Sequence, residues 1–459
     1  MIKTIFFLLK LISINCLFNT ENGYIKDEYN RTRLFHGINR IKKQGNYYYD
    51  NMLNMTESNL IANYGFNVVR LQWMWNAFEP LPNQYNMTYF NQIEKIINNL
   101  GKNNIYTILD SHQDELADYH CSEYGLPLWV INKSYPTHNF PWPLKGTCDS
   151  RKWYENVLSE AIAQGWQDFY DNENGMLDDF IRYWQKSTIL FKNNPYILGF
   201  EIINEPFIGN FYKNPLLFAP GIAGSTNLMK FYDKISDGIR KYDYNRILFY
   251  EPITWGMIYK NNIFGPGLNH VPGKIYTNTS IYSYHYYCSA FVLNSENRYI
   301  LRKYICDDYL LPHVFENTIS HIEKVGGSSF LTEFGLCLNK DINSECGYVL
   351  DNVDKYFQSW TDYTYAQVDN LSFNKNWTDI FSRSYPIATA GTPIKLYYNT
   401  TTKQLKYCFN IDLSINKSTE IYFTELKKLN ISTNLNYSIN KNILNLYNLE
   451  EGIGCVEIN

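Results

Sequence analysis

The sequence predicts an α/β fold, a (β/α)8 barrel followed by a small C-terminal β-sandwich. Three observations predict it. Between about 33 and 367, short apolar runs alternate with helical patterns, and runs without polar interruption suit strands buried on both faces of a parallel sheet. Eight strand–helix repeats fit within that stretch, the number a barrel with insertions requires. From about 385 the texture changes to short strand-like segments separated by Asn, Ser and Thr, as in a small sandwich. A chain of 459 residues has room for such an appendage beside a barrel.

Taken in order, the chain opens with Lys3 and a mostly apolar run from Ile5 to Phe18, the pattern of a secretory signal. Residues 1–20 are therefore expected to be a signal peptide, 21–384 the barrel and 385–459 the sandwich. The strand candidates are "RLFHGIN", "NVVRLQW", "IYTILDSH", "ILGFEIINEP", "RILFYEP", "IYSYHYY", "SFLTEFG" and "SWTDYTYAQ". Between them, 87–101 places Phe90, Ile93, Ile97 and Leu100 on one helical face, with Gly101 as a stop. In 175–194, Leu177, Ile181, Trp184 and Phe191 do the same. In 225–242, Ser225 is the expected cap, and Leu228, Phe231, Ile235, Ile239 and Tyr242 form the expected buried stripe. The longest insertion lies at about 115–160.

Charge and cysteine content bound the partners and the compartment. A net charge of −4 argues against bulk binding to nucleic acid, which needs a basic stripe. Nine Cys are present; removal of Cys16 with a signal leaves an even set suited to an oxidising compartment. Local pairings of Cys337 with Cys346 and of Cys408 with Cys455 are expected. Asn-x-Ser/Thr sequons occur at Asn30, Asn54, Asn86, Asn132, Asn278, Asn370, Asn376, Asn399, Asn416, Asn430 and Asn436, a modest excess over chance. A secreted or lysosomal, N-glycosylated protein is expected. No run after the N-terminal one is long enough to predict a transmembrane helix.

The chemistry concentrates in two glutamates. "IINEPF" at 202–207 puts Glu205 at the C-terminal end of the fourth strand candidate, and "FLTEFG" at 330–335 puts Glu333 at the end of the seventh. In a barrel both ends face the active site. Two carboxylates at one mouth are the machinery of glycoside hydrolysis, one protonating the leaving oxygen and the other attacking the anomeric carbon. A lone strand-end glutamate is more often a solvated or ion-paired residue; the pair in matching repeats reverses that reading.

The segments "FHGINRIKK", "GFNVVRLQWMWNAFEP", "ILDSHQDELA", "GFEIINEPF", "YHYY", "FLTEFG" and "RSYPIATAGTP" resemble the endoglycoceramidases of glycoside hydrolase family five, a retaining group. The resemblance implies that Glu205 is the acid/base and Glu333 the nucleophile. It implies that Arg70 hydrogen-bonds Glu333, that Asn204 meets the sugar 2-hydroxyl, and that Lys43, His112 and Asp114 bind hydroxyls of the sugar next to the ceramide. It also implies that His285 and Tyr287 orient the carboxylates. The substrate implied is a glycosphingolipid, with contact to a lipid or membrane surface; a monomer without cofactor or metal is expected. One departure stands out. The family's aromatic platform near the end of strand eight is usually Trp, whereas "SWTDYTYAQ" offers Trp360, Tyr363 and Tyr365; Trp360 and Tyr363 are the substrate-binding candidates.

Other readings of single residues are weaker. His112, Asp114, Glu115, Asp118 and His120 lack the spacing of a helical zinc motif. "GPGLNHVPG" has His270 where a dinucleotide fingerprint needs glycine, and no Gly-x-Ser-x-Gly elbow exists. Glu201 reads as a satisfied core carboxylate, Glu251 as a further strand carboxylate, and His36 as structural. "PFIGNFYKNPLLFAPGIAG" after Glu205 reads equally as a packed loop or as an apolar wall for lipid tails. The rival functions are an exo-acting glucosylceramidase, a polysaccharide hydrolase of the same clan, and a non-catalytic glycolipid-binding barrel.

Overall fold

A computed structural model describes residues 18–253, 265–287, 303–335, 345–363, 368–369, 372–373, 375–424, 429–447 and 450–459. Eight parallel strands close into a barrel: His36–Arg40, Val68–Gln72, Tyr106–Asp110, Ile197–Glu201, Ile247–Tyr250, Ser280–Tyr286, Ser328–Gly335 and Ser359–Tyr363, the first to eighth barrel strands. Register at the mouth sets Asn39 beside Arg70, Asp110 beside Glu201 and Glu333 beside His285.

The predicted helices form, with three differences. Met87–Gly101 is capped by the Asn86 side chain, which accepts from the Tyr89 N–H, and buries Phe90, Ile93, Ile97 and Leu100. Met176–Phe191 follows the expected face, although Ile181 is only partly buried. Ser225 is not a cap: it lies inside a π-turn at Gly224–Leu228 that runs into Met229–Arg240, and its hydroxyl donates back to the Gly221 carbonyl at 2.8 Å, as a serine within a helix does. Tyr242 falls beyond the helix and is exposed. The insertion is stapled by Cys121–Cys148.

The second unit packs a seven-stranded antiparallel sheet against a four-stranded one around Leu396, Tyr407, Phe409, Ile421, Leu444, Val456 and Ile458. Cys408–Cys455 joins two neighbouring strands of the smaller sheet, as expected. Cys346 is disulfide-bonded, while Cys337 lies outside the described residues. The division of the chain differs from the linear expectation. Phe18–Glu21, Tyr24–Asp27 and Thr32–Arg33 extend the C-terminal sheet, because Thr32 and Arg33 pair with Thr389 and Ala388. Phe18 is buried edge-on against Phe35 and Tyr106, so residues 18–20 are part of the folded unit. The sandwich seats on the end of the barrel opposite the mouth: Tyr385 stacks on His36 at 3.6 Å and donates to the Gly65 carbonyl at 2.8 Å, and Arg383 pairs with Asp354.

Candidate active site

Arg70 is the centre of the mouth. It is fully buried and projects from the second strand among carboxylates of four other strands or their ends. Its guanidinium bonds Glu333 and Glu201, lies 3.1 Å from Asp110 and 3.6 Å from Glu251, and donates to Asn39 Oδ1 and Asn204 Oδ1 at 3.1 and 2.7 Å. The rigid five-donor fork suits such a hub. Glu201 is thus an inward, ion-paired carboxylate, as the alternation of the fourth strand implies, with Oε2 on Arg70 and Oε1 without a hydrogen-bond partner among the described residues.

The two candidate catalytic carboxylates meet across His285. One oxygen of Glu205, one of Glu333 and a His285 nitrogen lie within 4.8 Å of one another. His285 Nδ1 is 2.8 Å from Glu205 Oε1 and 3.6 Å from Glu333 Oε2. The Tyr287 hydroxyl donates to Glu333 Oε2 at 2.9 Å. Burial works to raise the Glu333 carboxyl, but His285 and Arg70 outweigh it and hold Glu333 below the usual carboxylate range. Burial lowers His285, yet Glu251, Glu333 and Glu205 together push it up to about 10. Glu201, Glu251 and His285 form a second compact group. Both groups have donor types that a cation could use, and in both the positive charge is supplied by Arg70 and His285.

Glu205 adopts φ 41°, a left-handed conformation that a residue with a Cβ adopts at a cost and that clusters at functional sites. The turn is pinned from two sides. Gln113 Nε2 donates to the carbonyls of Asn204 and Glu205 at 2.5 and 3.1 Å, and the Glu205 N–H donates to Glu251 Oε2 at 3.2 Å. The Asn204 amide donates to the Gln113 carbonyl at 2.8 Å and lies 3.5 Å from Asp114. Its second N–H is therefore weakly engaged and available to a hydroxyl.

A polar wall flanks the pair. Lys43 and the Tyr124 hydroxyl both bond Asp114, and His112 lies 3.2 Å from Asp114 and 2.7 Å from Asp110. Burial raises Asp114, but Lys43 and His112 hold it far below the usual range. Tyr363, at the rim of the eighth strand, places its ring 5.5 Å from the Lys43 ammonium. Lys43, Arg70, His112, Asp114, Asn204, Glu205, His285, Tyr287, Glu333 and Tyr363 therefore converge.

Trp360 does not. It is fully buried and packs on His36 at 4.7 Å and Phe334 at 5.6 Å, near the start of the eighth strand where it pairs with His36. Its role is core packing. Tyr365 lies outside the described residues. Gln113, Tyr124, Asn39 and Asp110 belong to the site although none was singled out as a site residue; Asn39 lies inside "FHGINRIKK" and Asp110 and Gln113 inside "ILDSHQDELA", whereas Tyr124 carried no signal.

This geometry has relatives. The cellulase (glycosyl hydrolase family 5) model matches residues 34–378, and the glycoside hydrolase family 5 C-terminal domain matches residues 383–452. An endoglycoceramidase of Hydra vulgaris is 30% identical over 92% of this chain and 83% of its own; that of Cyanea nozakii is 30% identical over 90% and 84%. The endo-glycoceramidase II from Rhodococcus sp., solved as a lactosyl-enzyme intermediate, shares the fold with TM-score 0.77 at 17% identity, over 95% of this chain and 99% of that one. Its ganglioside GM3 complex gives TM-score 0.75 at 17% identity over 95% and 98%. With a barrel, a seated sandwich, Glu205 just beyond the fourth strand and Glu333 on the seventh, the chain belongs to glycoside hydrolase family 5, in its endoglycoceramidase group.

Proposed function

We propose that this hydrolase cleaves the β-glycosidic bond between oligosaccharide and ceramide in glycosphingolipids, with retention of anomeric configuration. The observation that carries the reading is the spacing of Glu205 and Glu333, whose nearest oxygens lie within 4.8 Å. Retaining enzymes hold their carboxyls about 5–5.5 Å apart, whereas inverting ones leave about 6.5–9.5 Å for a water.

Glu333, kept ionised by Arg70, His285 and Tyr287, attacks the anomeric carbon while Glu205 gives its proton to the departing ceramide oxygen. Neutralising Glu333 in the glycosyl-enzyme removes a negative neighbour and favours ionised Glu205, which then takes a proton from the attacking water. Asn204 faces the 2-hydroxyl; Lys43, His112 and Asp114 face the hydroxyls of the sugar next to ceramide.

The lipid side rests on the loops beyond Glu205 and in the insertion. Tyr212 packs on Trp142 and on Phe211, which meets Phe218, and Trp142, Tyr212, Leu216 and Phe218 are exposed. Apolar side chains in contact with one another and open to solvent beside a polar cleft suit an amphipathic ligand and a membrane surface. No described helix is long and apolar enough to cross a membrane. Disulfides support an oxidising compartment. Of the nine sequon asparagines whose side-chain burial is described, eight are exposed and Asn399 is half-buried. Both fit a secreted or lysosomal glycoprotein.

Mass spectrometry of products from a mixed glycosphingolipid digest tests the reading. Intact oligosaccharide with free ceramide is expected. Free glucose from glucosylceramide, or cleavage of soluble glucan without lipid substrate turnover, would overturn it in favour of an exo-acting or polysaccharide enzyme.

A further inference from the structure

Glu251 follows the fifth barrel strand, is 2% exposed, and has no part in the double displacement described above. Its two oxygens face two different parts of one residue. Oε2 accepts the main-chain N–H of Glu205 at 3.2 Å, where the backbone is left-handed. Oε1 faces His285 Nε2 at 3.4 Å, and the opposite ring nitrogen of His285 lies 2.8 Å from the Glu205 carboxyl. Among the described residues neither Glu251 Oε1 nor His285 Nε2 has a hydrogen-bond partner, which leaves each facing the other. From behind the strand, the Tyr232 hydroxyl donates to the Glu251 carbonyl at 2.7 Å and fixes its main chain. Two paths thus run from Glu251 to Glu205, one through the backbone and one through an imidazole. It also approaches Arg70 at 3.6 Å and lies within 4.8 Å of Glu201.

Charge balance points the same way. Asp110, Glu201, Glu205, Glu251 and Glu333 surround Arg70 and His285. Buried acids in such excess over bases must retain protons. Burial pushes the Glu251 carboxyl well above the usual range despite His285, with Glu201 adding to the rise.

We propose that Glu251 is a positioning residue for the acid/base: it holds the left-handed turn of Glu205 and, through His285, the orientation and proton of its carboxyl. The proposal rests on Glu205 being the acid. Acid assistance matters in proportion to the basicity of the leaving group, so the two halves of a leaving-group comparison separate positioning from structure.

The test measures kcat/KM of wild type and Glu251→Gln on lactosylceramide and on 2,4-dinitrophenyl β-lactoside, which departs without a proton. A loss of about tenfold or more is expected on the ceramide substrate, with a change within about threefold on the dinitrophenyl one. Equal losses on both, or no loss on either, overturn the proposal. Tyr232→Phe, which removes only the bond to the Glu251 carbonyl, provides a second variant should Glu251→Gln fail to fold; it is expected to show a smaller split in the same direction, and an absent or reversed split counts against the proposal. Glu205→Gln is run alongside. If that variant loses equally on both substrates, the acid/base assignment has failed rather than the role of Glu251.

Discussion

His36 and His285 are two histidines buried at opposite ends of the same barrel, one neutral and the other charged. On the floor, His36 lies between the rings of Tyr385 and Trp360. Burial and the Arg383 charge push it well below its ordinary value, so it stays neutral. At the mouth, burial of His285 is overruled by Glu251, Glu333 and Glu205, and the ring is raised to about 10. Burial alone therefore does not set protonation; the neighbours do. The floor gathers aromatic rings to seat a sandwich. The mouth gathers acids round one guanidinium and one imidazole to drive a displacement, at some cost in stability.

The sharpest way to break that contrast is to remove the nucleophile. Glu333→Gln is expected to lower kcat for glycosphingolipid hydrolysis by about 10⁴-fold or more, measured by release of fluorescent ceramide; activity within tenfold of wild type would remove Glu333 from the chemistry. Glu205→Gln is expected to lose about 10²–10⁴-fold on the same substrate, and its turnover of 2,4-dinitrophenyl β-lactoside, limited by the second step, is expected to be accelerated by azide, which needs no general base. Arg70→Met leaves buried carboxylates without their cation, and urea unfolding is expected to show a loss of about 3–5 kcal/mol.

The two histidines make opposite predictions for stability against pH. His36 has its folded value below the unfolded one, so the unfolded state binds the proton more readily; stability is lost as pH falls below about 6.5, by up to about 1.4 kcal/mol per pH unit. His36→Phe is expected to remove that acid-side dependence in urea titrations. His285 has its folded value above the unfolded one. Its contribution is fully present below about 6.5 and is lost as pH rises from there towards about 10. The smallest effect is expected at the rim: Tyr363→Phe keeps the ring beside Lys43 and changes kcat/KM by less than about threefold, while Tyr363→Ala loses about tenfold.

Much of the mouth was legible in the sequence because strand-end position is a linear property. Glu205, Glu333 and Arg70 each end an apolar run, and alternation places Glu201 inward. Depth is not linear. Trp360 and Tyr363 belong to one strand, yet Trp360 pairs with His36 near the floor and Tyr363 with Gly335 at the rim; aromatic content could not distinguish them. The contributions of Asn39, Asp110, Gln113 and Tyr124 arise only when strands and insertion close round Arg70 and Asp114. Likewise, the pairing of Thr32 and Arg33 with Thr389 and Ala388 joins segments more than 350 residues apart, beyond the reach of any local pattern.

The proposed displacement passes through a covalent intermediate at the mouth. Incubation of Glu205→Gln with 2,4-dinitrophenyl 2-deoxy-2-fluoro-β-lactoside, followed by proteolysis and mass spectrometry, examines it directly. A fluorolactosyl adduct on the peptide carrying Glu333, and on that carboxyl, is the expected result. An adduct on another residue, or an unlabelled enzyme that turns over substrate with inversion, would contradict it.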